Sequence, residues 1–207
     1  ASPDYPPAFD VVKPAMAHIT HPSPSGGVRS CSGFLVGPRH ILTAEHCFDD
    51  LTDLTAIDVR IGESSEPIGV AILHTYDPDH DGLADLDLAI LELHELVITK
   101  ALKLADPASM PYGMDALYGY GYGVLDPGTL LDAQSNDWGQ LKRVSLMQTT
   151  KLLLTKQIKE AIASLAIKPI YLANGETGSI GLCRGDSGGP IIRSDGSYIR
   201  DYFYVKD

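Results

Sequence analysis

The six residues Gly185-Asp186-Ser187-Gly188-Gly189-Pro190 pack three glycines around one serine. Glycines suit a backbone that turns tightly and presents successive N–H groups to a developing negative charge, so this string reads as a nucleophile loop with an oxyanion-binding backbone. A serine hydroxyl is a weak nucleophile and needs a neighbouring base. Leu42-Thr43-Ala44-Glu45-His46-Cys47 offers one, since an imidazole that gains and loses a proton near neutral pH suits general-base work. A third segment, Asp85-Leu86-Asp87-Leu88-Ala89-Ile90-Leu91-Glu92-Leu93, places acids at the head of an alternating run. An aspartate there would accept the second ring proton of His46, fix its tautomer and stabilise the imidazolium. Taken singly, the three strings are equally well explained as a Gly-rich turn, a structural histidine and a strand flanked by solvated acids. Only together do they make a catalytic set.

Such a set has to be held by rigid elements, and the chain supplies short ones. Apolar runs recur between turn signals at Gly33 to Val36, His40 to Thr43, Ala56 to Ile61, Gly69 to Leu73, Asp87 to Leu93, Ala116 to Tyr122, Leu141 to Met147 and Gly189 to Arg193. Short runs rich in Val, Ile, Leu and Tyr predict an all-β sandwich or barrel. Thr150 to Ile167, with Leu152, Ile158, Ile162 and Leu165, allows one helical stretch. The first thirty residues are loop-like, broken by Pro3, Pro6, Pro7, Pro14, Pro22 and Pro24, and periodic structure is expected chiefly after them. Asp106-Pro107 and Met110-Pro111 interrupt the pattern midway. The expected organisation is therefore residues 1–30 as a loop-rich segment with the first strand, 31–106 as one barrel carrying His46 and Asp87, and 107–207 as a second carrying Ser187.

The 207 residues are enough for one large or two small domains, and 44% apolar with 21% charged residues is ordinary globular usage. Net charge is −11, and residues 1–106 carry 6 Lys and Arg against 17 Asp and Glu. That balance argues against nucleic-acid binding, which needs clustered cations. No apolar run approaches membrane-spanning length. The expected partners are proteins, peptides or small molecules. Cys31, Cys47 and Cys183 lack the paired spacing of a structural zinc site and fit one disulfide plus one leftover thiol. Asp77-Pro78-Asp79-His80-Asp81-Gly82 opens like a calcium loop with Asp85 at its ninth position, but Leu88 stands where a bidentate Glu belongs, so it reads as a solvated acidic connection. Neither metal nor cofactor is expected.

The three segments together resemble the trypsin/chymotrypsin-like serine protease family, whose chain order is His, Asp, Ser on two barrels. Thr43 to Cys47 is similar to its histidine motif, Asp87 to Leu91 to its aspartate motif and Gly185 to Pro190 to its serine motif. Cys31-Ser32-Gly33-Phe34-Leu35-Val36, Val59-Arg60-Ile61-Gly62-Glu63 and Gly119-Tyr120-Gly121 resemble intermediate segments, so the likeness runs over roughly residues 11 to 200. The resemblance implies two packed six-stranded antiparallel β-barrels, the second incomplete if the chain is shortened at its C-terminus. It implies a secreted or periplasmic serine endopeptidase acting on proteins or peptides and open to protein inhibitors. Ser187 would be the nucleophile, His46 the base and Asp87 its orienter, with Gly185 and Ser187 N–H groups as the oxyanion hole. Cys31 and Cys47 would form the disulfide beside the histidine, enclosing 15 residues and pointing to an oxidising compartment. The specificity pocket would have Gly181 at its base, six residues before Ser187, and Arg184 near its entrance. A glycine there argues against Arg or Lys specificity.

Departures from the family leave alternatives open. Phe9-Asp10-Val11-Val12 stands about where the mature start would supply an amino group to Asp186, so either another cation takes that place or the oxyanion hole is not fully formed. Glu45 replaces a small residue beside His46. Only 20 residues follow Ser187, fewer than the family usually has; a shortened chain would lack a wall of the pocket and a partner for Cys183, the competing explanation being an exposed free thiol, and Ile199 to Val205 offers one last strand. The rival reading is a protease-fold binding protein or an inactive precursor. The α/β-hydrolases, which share the Gly-x-Ser-x-Gly pattern, place histidine after serine, whereas all 7 histidines here precede Ser187.

Overall fold

A computed structural model describes residues 9–75, 87–103, 117–123, 141–148, 172–174, 185–193 and 198–201. The first sheet is built from β1 (Met16–Pro22), β2 (Val28–Leu35), β3 (His40–Thr43), β4 (Asp58–Ile61), β5 (Val70–Thr75) and β6 (Ala89–Leu93). Its strands lie in the order β4-β1-β2-β3-β6-β5 and all pair antiparallel. The two outer strands meet again just before β5. There the Val59 and Ile68 backbones exchange hydrogen bonds at 3.3 and 2.8 Å, which curls the sheet back on itself. The second sheet holds β7 (Leu117–Gly121), β8 (Lys142–Gln148), β9 (Leu172–Asn174), β10 (Pro190–Arg193) and β11 (Tyr198–Asp201), in the order β11-β10-β7-β8-β9. The chain is thus an all-β, chymotrypsin-like fold of a six-stranded curled sheet and, among the described residues, a second sheet of five strands.

Period-2 patterning shows most plainly in β4 and β6 of the first sheet. In β6, Ala89, Leu91 and Leu93 point into the curl and are 0 to 1% exposed, while Ile90 and Glu92 alternate outward. Ala17, Ile19, Leu35, Ile41, Val59 and Ile61 converge on the same core. A second cluster joins Met16, Phe34 and Leu42 of the first sheet to Tyr118, Tyr120 and Ile192 of the second. Complete burial of a side chain such as Phe34 contributes roughly 1.5–3 kcal/mol, so this cluster fixes one sheet against the other.

The N-terminal region, expected to be loop-rich with the first strand, holds β1 and the start of β2. A turn of helix covers Phe9–Val12, and β1 is an interior strand pairing with β2 on one side and β4 on the other. Its prolines flank it: Pro14 precedes the strand and Pro22 ends it, so Met16 to His21 keep their N–H groups for the ladder. Of the last predicted strand, Ile199 to Val205, the first three residues fall in β11 (Tyr198–Asp201) and the remainder lies outside the described residues, as does Thr150 to Ile167.

Candidate functional site

His46 sits in a 3-10 turn, Glu45–Phe48, directly after β3. Three attachments hold this turn. The Cys31–Cys47 disulfide ties it to β2, across a sequence separation of 16. The buried ring of His21, at the end of β1, lies with Nε2 at 2.8 Å from the Cys47 carbonyl and stacks on Phe48. On the far side, Asp87 takes both the backbone and the ring of His46: Oδ1 accepts the His46 N–H at 2.9 Å and Oδ2 accepts the Nδ1–H at 2.6 Å. With the proton on Nδ1, the neutral ring carries its acceptor lone pair on Nε2, which is the tautomer a general base needs.

The charges around this pair are uneven. Burial alone would push the Asp87 carboxyl up, but hydrogen bonds from the His46 ring and from the His46 and Glu45 backbones outweigh it and hold the group below its ordinary value. Glu45 moves the other way. Partial burial raises its carboxyl, Asp49 and Asp87 add to the rise, and His46 partly offsets it.

The serine loop precedes β10 and is buried, with Asp186 at 0% and Ser187 at 4% exposure. Gly185 and Gly188 have φ of +94° and +80°, the left-handed region that glycine enters without a Cβ penalty. At Gly188 a Cβ would also stand 2.7 Å from the Ala44 nitrogen, so the loop is packed against the residue two places before His46. This close approach brings the Ser187 and His46 segments together.

Three successive carbonyls of the loop are pinned. Ser32 Oγ donates to the Gly185 carbonyl at 2.8 Å, Gly189 N–H donates to Asp186 O at 2.9 Å, and Ser32 N–H donates to Ser187 O at 2.8 Å. The Asp186 side chain accepts Gly123 N–H at 2.8 Å. That contact answers part of the question raised by the sequence, since a backbone N–H of the Gly-Tyr-Gly stretch after β7 holds one carboxylate oxygen.

Of the residues singled out from sequence, His46, Asp87, Ser187, Gly185, Cys31 and Cys47 are all described and lie in this one region. Gly181, Arg184 and Cys183 lie outside the described residues, as do the acidic 77–82 connection and Asp85. Sequence reasoning passed over His21 and Ser32. A partner 153 residues away leaves no local pattern, and in a strand that also carries Arg29 and Ser30 nothing in the sequence sets Ser32 apart.

The sequence profile of the trypsin family matches residues 7–203, and the chain belongs to that family of serine proteases. Among solved structures it is similar to neuropsin, a serine protease expressed in the limbic system of mouse brain. The identity is 22% and the TM-score 0.59, with 90% of this chain and 79% of that one covered. It is also similar to granzyme C, at 21% identity and TM-score 0.65, covering 94% and 84% of the two chains. At these identities the likeness is one of fold. No helix among the described residues is long and apolar enough to cross a membrane.

Proposed function

We propose that the chain is a serine endopeptidase that hydrolyses peptide bonds through Ser187, His46 and Asp87. The observation that carries this reading is the two-point grip of Asp87 on His46, with a ring contact of 2.6 Å and a backbone contact of 2.9 Å, in a turn packed against the serine loop. Ser187 Oγ attacks the substrate carbonyl carbon while His46 Nε2 removes its proton. The carbonyl π electrons move onto oxygen, and the N–H groups of Gly185 and Ser187 receive that oxyanion. When the C–N bond breaks, His46 returns the proton to the leaving amine. A water then attacks the acyl-serine ester, giving one proton to His46 and restoring the Ser187 hydroxyl as the acid departs.

Asp87 stays ionised throughout and stabilises the imidazolium. The family resemblance would assign Gly181 to the pocket base, and a neutral residue in that role favours substrates other than Arg or Lys at the cleaved bond. The disulfide supports an oxidising location, secreted or periplasmic, with protein or peptide substrates and protein inhibitors as partners.

Intact mass after treatment with a serine-directed fluorophosphonate tests the reading without knowledge of substrate. A single adduct on the parent chain, absent from Ser187→Ala and His46→Ala, is expected. An unreactive parent would transfer the assignment to a binding protein or precursor.

A further inference from the structure

We propose that Ser32 is a positioning residue for the Ser187 loop, a role that rests on the reading of Ser187 as nucleophile. Ser32 lies on β2, one residue from the disulfide, and is 0% exposed. Its hydroxyl makes two bonds at once: it accepts Tyr122 N–H at 2.8 Å and donates to Gly185 O at 2.8 Å. Its own N–H holds Ser187 O at 2.8 Å, and its carbonyl is held by Thr43 Oγ1 at 2.7 Å. One residue of the first sheet therefore grips the carbonyls on both sides of Asp186 and the stretch that follows β7.

The geometric consequence follows from peptide planarity. In a trans peptide the N–H points opposite the C=O, so pinning a carbonyl also aims the N–H of the next residue. Gly185 O, held by the Ser32 hydroxyl, sets the plane carrying Asp186 N–H, and Ser187 O, held by the Ser32 amide, sets the plane carrying Gly188 N–H. Between them, Gly189 N–H on Asp186 O sets the plane carrying Ser187 N–H. Gly185 has a φ of +94° and no side chain to restrain it, so without the hydroxyl its following peptide is the plane of the three that loses its anchor. The Ser32 hydroxyl thus restrains rotation of the loop just ahead of the nucleophile, and in the same bond pair locks Tyr122 and Gly123, the residue that holds Asp186.

The peptide that the hydroxyl anchors lies between the two that carry Gly185 N–H and Ser187 N–H, the oxyanion donors, so its loss loosens both through their shared neighbour and costs the transition state more than substrate binding, because the oxyanion forms only after attack. Ser32→Ala should lower the rate constant of fluorophosphonate labelling by about tenfold or more and lower kcat for any peptide substrate, with KM little changed. Ile57→Ala, which opens the first core and removes none of the hydrogen bonds that hold the loop, serves as a control of comparable destabilisation and should label at the parent rate while folded. Ser32→Gly covers the case in which Ser32→Ala does not fold. Its vacated space can admit a water to both orphaned groups but leaves no tether to β2, and it should still label several-fold more slowly. Labelling of the folded Ser32 variants at the parent rate, or equal slowing in Ile57→Ala, overturns the proposal while leaving Ser187 as nucleophile. A parent that does not label overturns both.

Discussion

The two oxygens of the Asp87 carboxylate do different work, and a single substitution separates them. Oδ1 anchors the His46 backbone and Oδ2 sets the ring tautomer. In Asp87→Asn one oxygen becomes an NH2 group that cannot accept. With the amide oxygen retained on the backbone N–H, the NH2 faces Nδ1, which then carries its lone pair, and the proton sits on Nε2, where a base needs none. Labelling of Ser187 and peptide hydrolysis should fall by about 10⁴-fold while the fold persists. Stability follows pH with a definite sign. Because the folded carboxyl lies below its ordinary value of 3.8, its contribution is complete above that pH and is lost as pH falls through the depressed value. The stability difference between parent and Asp87→Asn, measured by urea unfolding, should therefore shrink below that pH. A variant that labels as fast as the parent would remove Asp87 from the mechanism.

At the scale of elements, the 3-10 turn Glu45–Phe48 is too short to hold itself and depends on its three attachments. The disulfide closes a loop of 15 intervening residues, for which loop entropy predicts about 3 kcal/mol. The double variant Cys31→Ala/Cys47→Ala should lose stability of about that size by thermal or denaturant unfolding. It should also label more slowly, because the turn then hangs on His21 and Asp87 alone. Full stability in the double variant would mean that β2 and the turn are already fixed by packing. These elements were unevenly legible. His40–Thr43 was readable to the residue, since a short run centred on Ile41 and Leu42 and bounded by Gly37-Pro38 and a polar turn is too short for a helix. β1 was obscured because prolines on both sides suggested a loop, although the strand lies between them. The proposed set of His46, Asp87 and Ser187 stood out in the sequence because its residue types are chemically constrained, whereas Ser32 and His21 act through backbone carbonyls that register and curvature bring near, which composition does not encode.

At the scale of the whole molecule, the two sheets meet over a mostly apolar seam that also contains one titratable stack. His18 of β1 lies against Tyr122 with ring centroids 4.9 Å apart, its Nε2 is 2.8 Å from Ser30 Oγ, and its cross-strand partner on β4 is Arg60. Burial, with Arg60 adding to it, lowers the His18 ring to about 4, and burial pushes the Tyr122 phenol up to about 12. Both rings therefore stay neutral at the seam across the physiological range. The sign for His18 follows from proton counting. Between its unfolded value of 6.5 and its folded value of about 4, the unfolded chain binds a proton that the folded chain refuses. Stability is complete above that window, falls as pH drops through it by about 1.4 kcal/mol per unit, and loses roughly 3 kcal/mol in all. His18→Phe keeps a ring against Tyr122 but cannot take the proton. Urea unfolding at intervals from pH 4 to 7 should show a shallower dependence in the variant by that amount per unit, and the two chains should run parallel above pH 6.5. Equal slopes across the window would mean that His18 is protonated in the folded protein beside Arg60, and the seam would then have to hold two neighbouring cations.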